Sequence, residues 1–226
     1  MLPCGVTFEA RGSIVMRLEA RTTNDGAGGR GADKSTEDTM NHIMKRRDFM
    51  RGAALGALAF TVGGAQVLLS AREARAQGVP FRLLKADEAE TLESLGETLL
   101  PGARAAGVAH FIDQQLSVPP EEALLEARIL NVRPPYVNFY RAAIGAIDRA
   151  SQARSGGRFA LLNAIEQREF VDLMRQGKLE GWQGPPAPFV YFVTRSDAVD
   201  VVFGTLEGYA SLGIPYMAHI APERRW

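Results

Sequence analysis

The side chains able to do chemistry in this sequence are few, and their spacing disperses them. Asp87, Glu88, Glu90, Glu93 and Glu97 cluster, and two carboxylates held together can act as an acid–base pair. Here the spacing puts them in the first turns of a helix, where acidic groups favour the positive end of the dipole and face water. Beyond residue 77 the only histidines are His110 and His219, far apart in the chain. A metal or haem site would have to rest on those two plus carboxylates. His219, in Tyr216-Met217-Ala218-His219-Ile220, could carry a proton but reads better as a packing or interface histidine. The single cysteine, Cys4, lies near the start. The remainder therefore offers no thiolate nucleophile, disulfide, iron–sulfur ligand set or C-x-x-C-H haem attachment. It carries no G-x-G-x-x-G after a predicted strand, no P-loop, no G-x-S-x-G and no H-E-x-x-H.

What precedes those residues resembles an address. Lys45-Arg46-Arg47-Asp48-Phe49-Met50-Arg51 places an arginine pair and Phe49 before an uncharged run, Gly52 to Leu69. The run leads to Ala74-Arg75-Ala76, with the small residues Ala74 and Ala76 where a signal peptidase reads. This is the layout of a twin-arginine export signal, a route that carries folded proteins, usually because a cofactor or partner is loaded first. The run is short for a membrane span and diluted by Gly52, Gly56, Gly63, Gly64, Thr61 and Gln66, whereas a span needs about 20 strongly apolar residues. An ordinary secretory signal or an uncleaved anchor are the alternatives. Residues 44–76 are thus read as the signal. Residues 1–43, rich in Gly, Thr and Asn, read as a disordered extension or an over-long start, with Met40 or Met44 as the true beginning.

Cleavage after Ala76 would leave Gln77 to Trp226, 150 of the 226 residues, enough for one domain with a real core. Its 15 Lys and Arg face 18 Asp and Glu, with no basic block, which argues against a nucleic-acid partner. The pattern predicts an all-α domain. Asp87 and Glu90 suggest a capping box ahead of Leu92, Leu95 and Leu99, with Pro101-Gly102 as the stop. Val108 to Leu116 and Glu121 to Leu130 read as further helical stretches. After Pro134-Pro135, the residues Tyr136, Phe139, Tyr140, Ala143, Ile144 and Ile147 mark one face of a 3.6-residue period. Asn163 and Glu166 can cap a helix ending at Gly177. A last helix is predicted from about Phe189 to Gly208, where Val190 to Val193 has strand propensity but the following stripe favours helix.

Aromatic residues concentrate late. Trp182, Phe189, Tyr191, Phe192, Phe203, Tyr209, Tyr216 and Trp226 are eight of the 15 beyond residue 77, partly in Gly/Pro-rich loops that a small core would enclose poorly. Trp and Tyr are enriched at interface centres. Trp182, Tyr209, Tyr216, His219 and Trp226 are therefore the candidate partner-binding residues. The competing reading is that the aromatics close the bundle.

Several short motifs, in order, carry a family resemblance. They are Glu97-Thr98-Leu99-Leu100-Pro101, Ala106-Gly107-Val108 leading to Phe111-Ile112-Asp113, and the Phe159 to Gly177 segment with Glu166-Gln167. Leu206-Glu207-Gly208-Tyr209, Leu212-Gly213-Ile214-Pro215-Tyr216 and Trp226 follow. With the export signal in front, the chain resembles the gluconate 2-dehydrogenase subunit 3 family, the small subunits of bacterial membrane-associated flavin dehydrogenases. A Tyr-Gly-Gly-Asn stretch found in many members is absent. The resemblance implies a non-catalytic periplasmic subunit without a cofactor. Its partners would be an FAD-binding glucose–methanol–choline-type catalytic subunit, acting on a sugar, sugar acid or polyol, and a cytochrome c subunit carrying haem. It would assist folding, assembly and export of the catalytic subunit through the twin-arginine translocase. A stand-alone periplasmic enzyme using carboxylates and His219, and a small-ligand-binding helical module, are the rival expectations.

Overall fold

A computed structural model describes residues 58–62 and 65–213. Local chemistry sets most of its helix ends. The stripe after the proline pair forms α6 (Tyr136–Ser155) and is buried along its length. It stops at Gly156, whose φ of 73° suits a residue without Cβ. The predicted capping box is present at the start of α7 (Ala164–Gln176). Asn163 Oδ1 accepts from the Ile165 and Glu166 amides at 2.9 and 3.1 Å, and Glu166 accepts from the Asn163 amide at 3.0 Å. These bonds satisfy amides that the first helical turn would otherwise leave unpaired.

Three predicted boundaries shift. Helix α2 (Ala86–Leu99) begins after Lys85, where Glu88, not Glu90, reaches back to the chain and accepts from the Lys85 amide at 2.8 Å. Asp87 accepts from the Glu88 amide instead of capping. Of the stretch from Glu121 to Leu130, only α5 (Glu126–Ile129) is helical. The last predicted helix divides into α8 (Ala187–Phe203) and α9 (Leu206–Ser211). The break lies at Gly204, and Thr205 Oγ1 caps the second piece by accepting from the Gly208 amide at 3.0 Å.

The short α3 (Ala103–Ala106) and α4 (Val108–Leu116) meet at Gly107, whose φ of 84° turns one into the other. Helix α2 packs against α4, α6, α7 and α8. The core between them contains Leu95, Ile112, Tyr140, Ile147, Phe159, Phe170 and Met174, all under 2% exposed. Phe159, in a single 3-10 turn (Phe159–Leu161), meets Phe170 with ring centroids 5.2 Å apart.

The acidic cluster of α2 does not form a shared site. Glu93 pairs with Arg75 at 3.0 Å and Arg104 at 3.7 Å, Glu88 with Arg141 at 3.3 Å, and Glu90 with Arg158 at 3.5 Å. Glu97 accepts from the Gly102 and Arg104 amides. Asp87 and Glu90 are exposed as expected, but the Glu88 and Glu93 side chains are only about 15% exposed, covered by their arginines.

A hairpin precedes this bundle, within the stretch read as the export signal. Leu58–Val62 (β1) and Ala65–Leu69 (β2) pair antiparallel, from Leu58 opposite Leu69 to Val62 opposite Ala65. Ser70 then caps α1 (Ala71–Ala76) through a reciprocal box with Glu73. Phe60, Leu69, Ala74 and Val79 form a second apolar cluster, and Leu58 packs against both clusters. The linker that follows is fastened by buried Asp113 of α4, which accepts from the amides of Arg82, Leu83 and Leu84 at 2.8–2.9 Å. From Ala71 to Gly213 the chain is mostly helical.

Candidate functional site

Helix α8 carries large apolar residues on every side yet is covered on only one. Its start follows from Pro185-Pro186 and from Pro188 in the first turn, where a missing amide proton costs nothing. The inner face buries Val190, Val193, Ala198 and Val201 in the core. On the other side Phe192 is 47% exposed, beside half-buried Phe189, Tyr191, Val199 and Phe203. Arg195 and Asp200 are the only charges outside. A helix apolar all round is normally enclosed by neighbours; here only half is.

The rotation that presents Phe192 outward is fixed from beneath by a polar contact. Asp197 lies fully buried on the inner face, accepting from Tyr140 Oη at 2.6 Å and from the Glu126 amide at 3.0 Å. Burial pushes its carboxyl up to about 7, and the Asp200 and Glu126 charges push the same way. The hydrogen bonds from Tyr140 and the Glu126 amide pull it back down. The Tyr140 hydroxyl is likewise raised well above its ordinary value, first by burial and then by Asp197. Both groups are fully enclosed, so the pair ties α8 to α5 and α6 and has no route to a substrate.

A second polar anchor sits under the N-terminal segment. Buried His110 of α4 hydrogen-bonds through Nε2 to the Val79 carbonyl at 3.0 Å and lies against Phe81, the ring centroids 4.5 Å apart and the planes tilted by 42°. The carbonyl can only accept, so Nε2 carries a proton, while Nδ1 is buried without a hydrogen-bond partner. Burial lowers its pKa, against the raising effects of the Val79 hydrogen bond, Glu93 and Asp113, while Arg75 lowers it further.

The predicted partner-binding residues are placed unevenly. Trp182 is half-buried in the loop entering α8, and its indole N–H donates to the Pro185 carbonyl at 2.7 Å. That loop lies on α6, where a Cβ at Gly184 would come within 2.7 Å of the Ala146 methyl. Tyr209 is half-buried on α9, which packs against α8. Tyr216, His219 and Trp226 lie outside the described residues, as do Arg46, Arg47 and Phe49 of the export motif. Ala74 is fully buried on α1 and Ala76 is exposed at its end. Sequence reasoning did not single out Phe192 or Asp197. The usable signal was the pair of apolar runs Phe189–Val193 and Val201–Phe203, which leave the predicted last helix without one continuous polar face.

Among the described residues, no group of three or more His, Cys, Asp or Glu could hold a metal ion. No helix among them is long and apolar enough to cross a membrane. A family model described as gluconate 2-dehydrogenase subunit 3 matches residues 86–215, more than half the chain. The chain belongs to the gluconate 2-dehydrogenase subunit 3 family. The match opens at α2 and runs past α9, so the half-covered helix α8 lies within the family unit and the hairpin and α1 lie before it. The family's name describes an accessory subunit of a dehydrogenase complex. No curated protein and no solved structure matches the chain.

Proposed function

We propose that this subunit is a non-catalytic assembly partner that binds the catalytic subunit of its dehydrogenase through the outer face of α8. The observation that carries this reading is the apolar surface around Phe192 on a helix whose other face is already packed. Side chains of that size left half in water are stabilised when a partner covers them, at about 25 cal/mol per Å² of apolar area removed from water. The partner is an FAD-binding dehydrogenase subunit of the glucose–methanol–choline type, with a cytochrome c subunit receiving its electrons. Arg46, Arg47 and Phe49 address the assembly to the twin-arginine translocase and so to the periplasm. A flavoprotein folded around its cofactor in the cytoplasm would cross as a passenger on this chain.

Two substitutions test the two halves separately. Phe192→Glu is expected to lower recovery of the dehydrogenase subunit in co-purification at least about tenfold, as for an interface hot spot; undiminished recovery sinks the docking face. Arg46→Lys with Arg47→Lys is expected to strand both subunits in the cytoplasm. Normal export of that double variant removes the targeting role.

A further inference from the structure

We propose that the folded chain is not processed after Ala76, and that residues 58–79 stay with the domain as an intramolecular clasp. This rests on the export reading only in supposing that folding precedes export. A peptidase reading small residues at Ala74 and Ala76 needs that stretch extended, so that its backbone can pair with the enzyme and its side chains enter pockets. Here the stretch is a capped helix. The Gln77 amide, on the bond that would be cut, donates to the Glu73 carbonyl at 2.9 Å, and the Val79 amide donates to the Ala74 carbonyl at 2.9 Å.

Ala74 is fully buried, in a cluster with Phe60, Leu69 and Val79. Arg75, between the two alanines, is held by Glu93 of α2 at 3.0 Å. The helix sits directly on Gly107, where any Cβ would collide with the Ala71 carbonyl. His110 and Asp113 fasten the chain just beyond, at Val79 and at Arg82 to Leu84. Presenting Ala74-Arg75-Ala76 therefore requires unwinding α1, breaking the Arg75–Glu93 pair and dissolving the second cluster. Retention gives the small subunit a permanent N-terminal extension that links its address to the domain after transport.

The test is N-terminal sequencing and intact mass of the subunit isolated from its exported complex. An N-terminus ahead of Leu58 is expected; one at Gln77, or anywhere from residue 59 to 76, overturns the proposal. A second measurement uses trypsin on the purified full chain. Cleavage after Arg75 is expected to be at least about tenfold slower than in Gly107→Ala, and than in Phe60→Ala with Leu69→Ala, because cutting then tracks how often the segment opens. Equal rates in the native chain and both variants contradict a clasp. The lysine-pair variant separates the two readings: its normal export would refute the targeting role, while the tryptic comparison would still decide the clasp.

Discussion

Residues 58–79 and helix α8 are both rich in apolar residues, and each buries one face and leaves another in water, with Leu68 49% and Phe192 47% exposed; they differ in what the buried face packs against. The first segment hides Phe60, Leu69, Ala74 and Val79 in a cluster of its own and meets its backbone needs locally, through the Ser70–Glu73 box and the ladder of β1 on β2. The second drives one face into the core and leaves Phe192 nearly half exposed. Each is pinned by one buried titratable group, His110 under the clasp and Asp197 under α8. The contrast teaches that apolar content alone does not mark a segment for a membrane or a partner. What matters is where the fold sets that surface: in a small cluster of the segment's own, or in the main core.

The sharpest way to break the comparison is to remove the clasp. A chain beginning at Gln77 loses Phe60 and Leu69 from the second cluster, at about 1.5–3 kcal/mol for each large apolar side chain. It is expected to be less stable than the full chain in urea denaturation, by at most about 3–6 kcal/mol before the entropy of ordering the segment is set against that burial. An unchanged midpoint would mean that α1 only rests on the domain.

The two anchors should respond to pH in opposite senses. Asp197 binds its proton more tightly folded than unfolded, with a pKa of about 7 against an ordinary 3.8. Its protonated form favours folding fully below the unfolded value, and that contribution is lost as pH rises through about 7. Asp197→Asn should remove this slope, of order a few kcal/mol, from stability measured between pH 4 and 8. His110 is displaced the other way, its folded pKa lying below 6.5. Its contribution is present above the unfolded value and lost as pH falls through the folded one. Acid should therefore loosen the clasp first. Faster tryptic cleavage after Arg75 as pH drops from 7 to 5 checks this, normalised to a control peptide, and His110→Gln should flatten the response.

Phe192→Glu has the smallest expected effect on the free subunit, within about 0.5 kcal/mol of the parent, as is usual for an exposed position. A larger loss would show that Phe192 belongs to the core and would erase the difference between the two regions.

Much of the bundle was legible because its signals are local. The stripe from Tyr136 to Ile147 and the Asn163–Glu166 box are each written within a dozen residues, and both form as the spacing predicts. The hairpin was hidden by a competing pattern. The run from Gly52 to Leu69 matches an export signal's apolar core, although Gly63-Gly64 between Leu58–Val62 and Ala65–Leu69 is also a hairpin signature. Asp197 could not be read at all, since Tyr140 and Glu126 stand 57 and 71 residues away. The same holds for Asp113, whose three amide donors lie about 30 residues upstream. Residue type alone could not show that the indole N–H of Trp182 is taken by the Pro185 carbonyl.

The most direct test of the accessory role is quantitative co-purification of the dehydrogenase catalytic subunit on this chain and on a Phe192→Glu variant of matched thermal stability. The docking face described above predicts that the native chain retains the flavoprotein and that the variant loses at least about nine-tenths of it. Equal retention by both, or no flavoprotein on either, would contradict it.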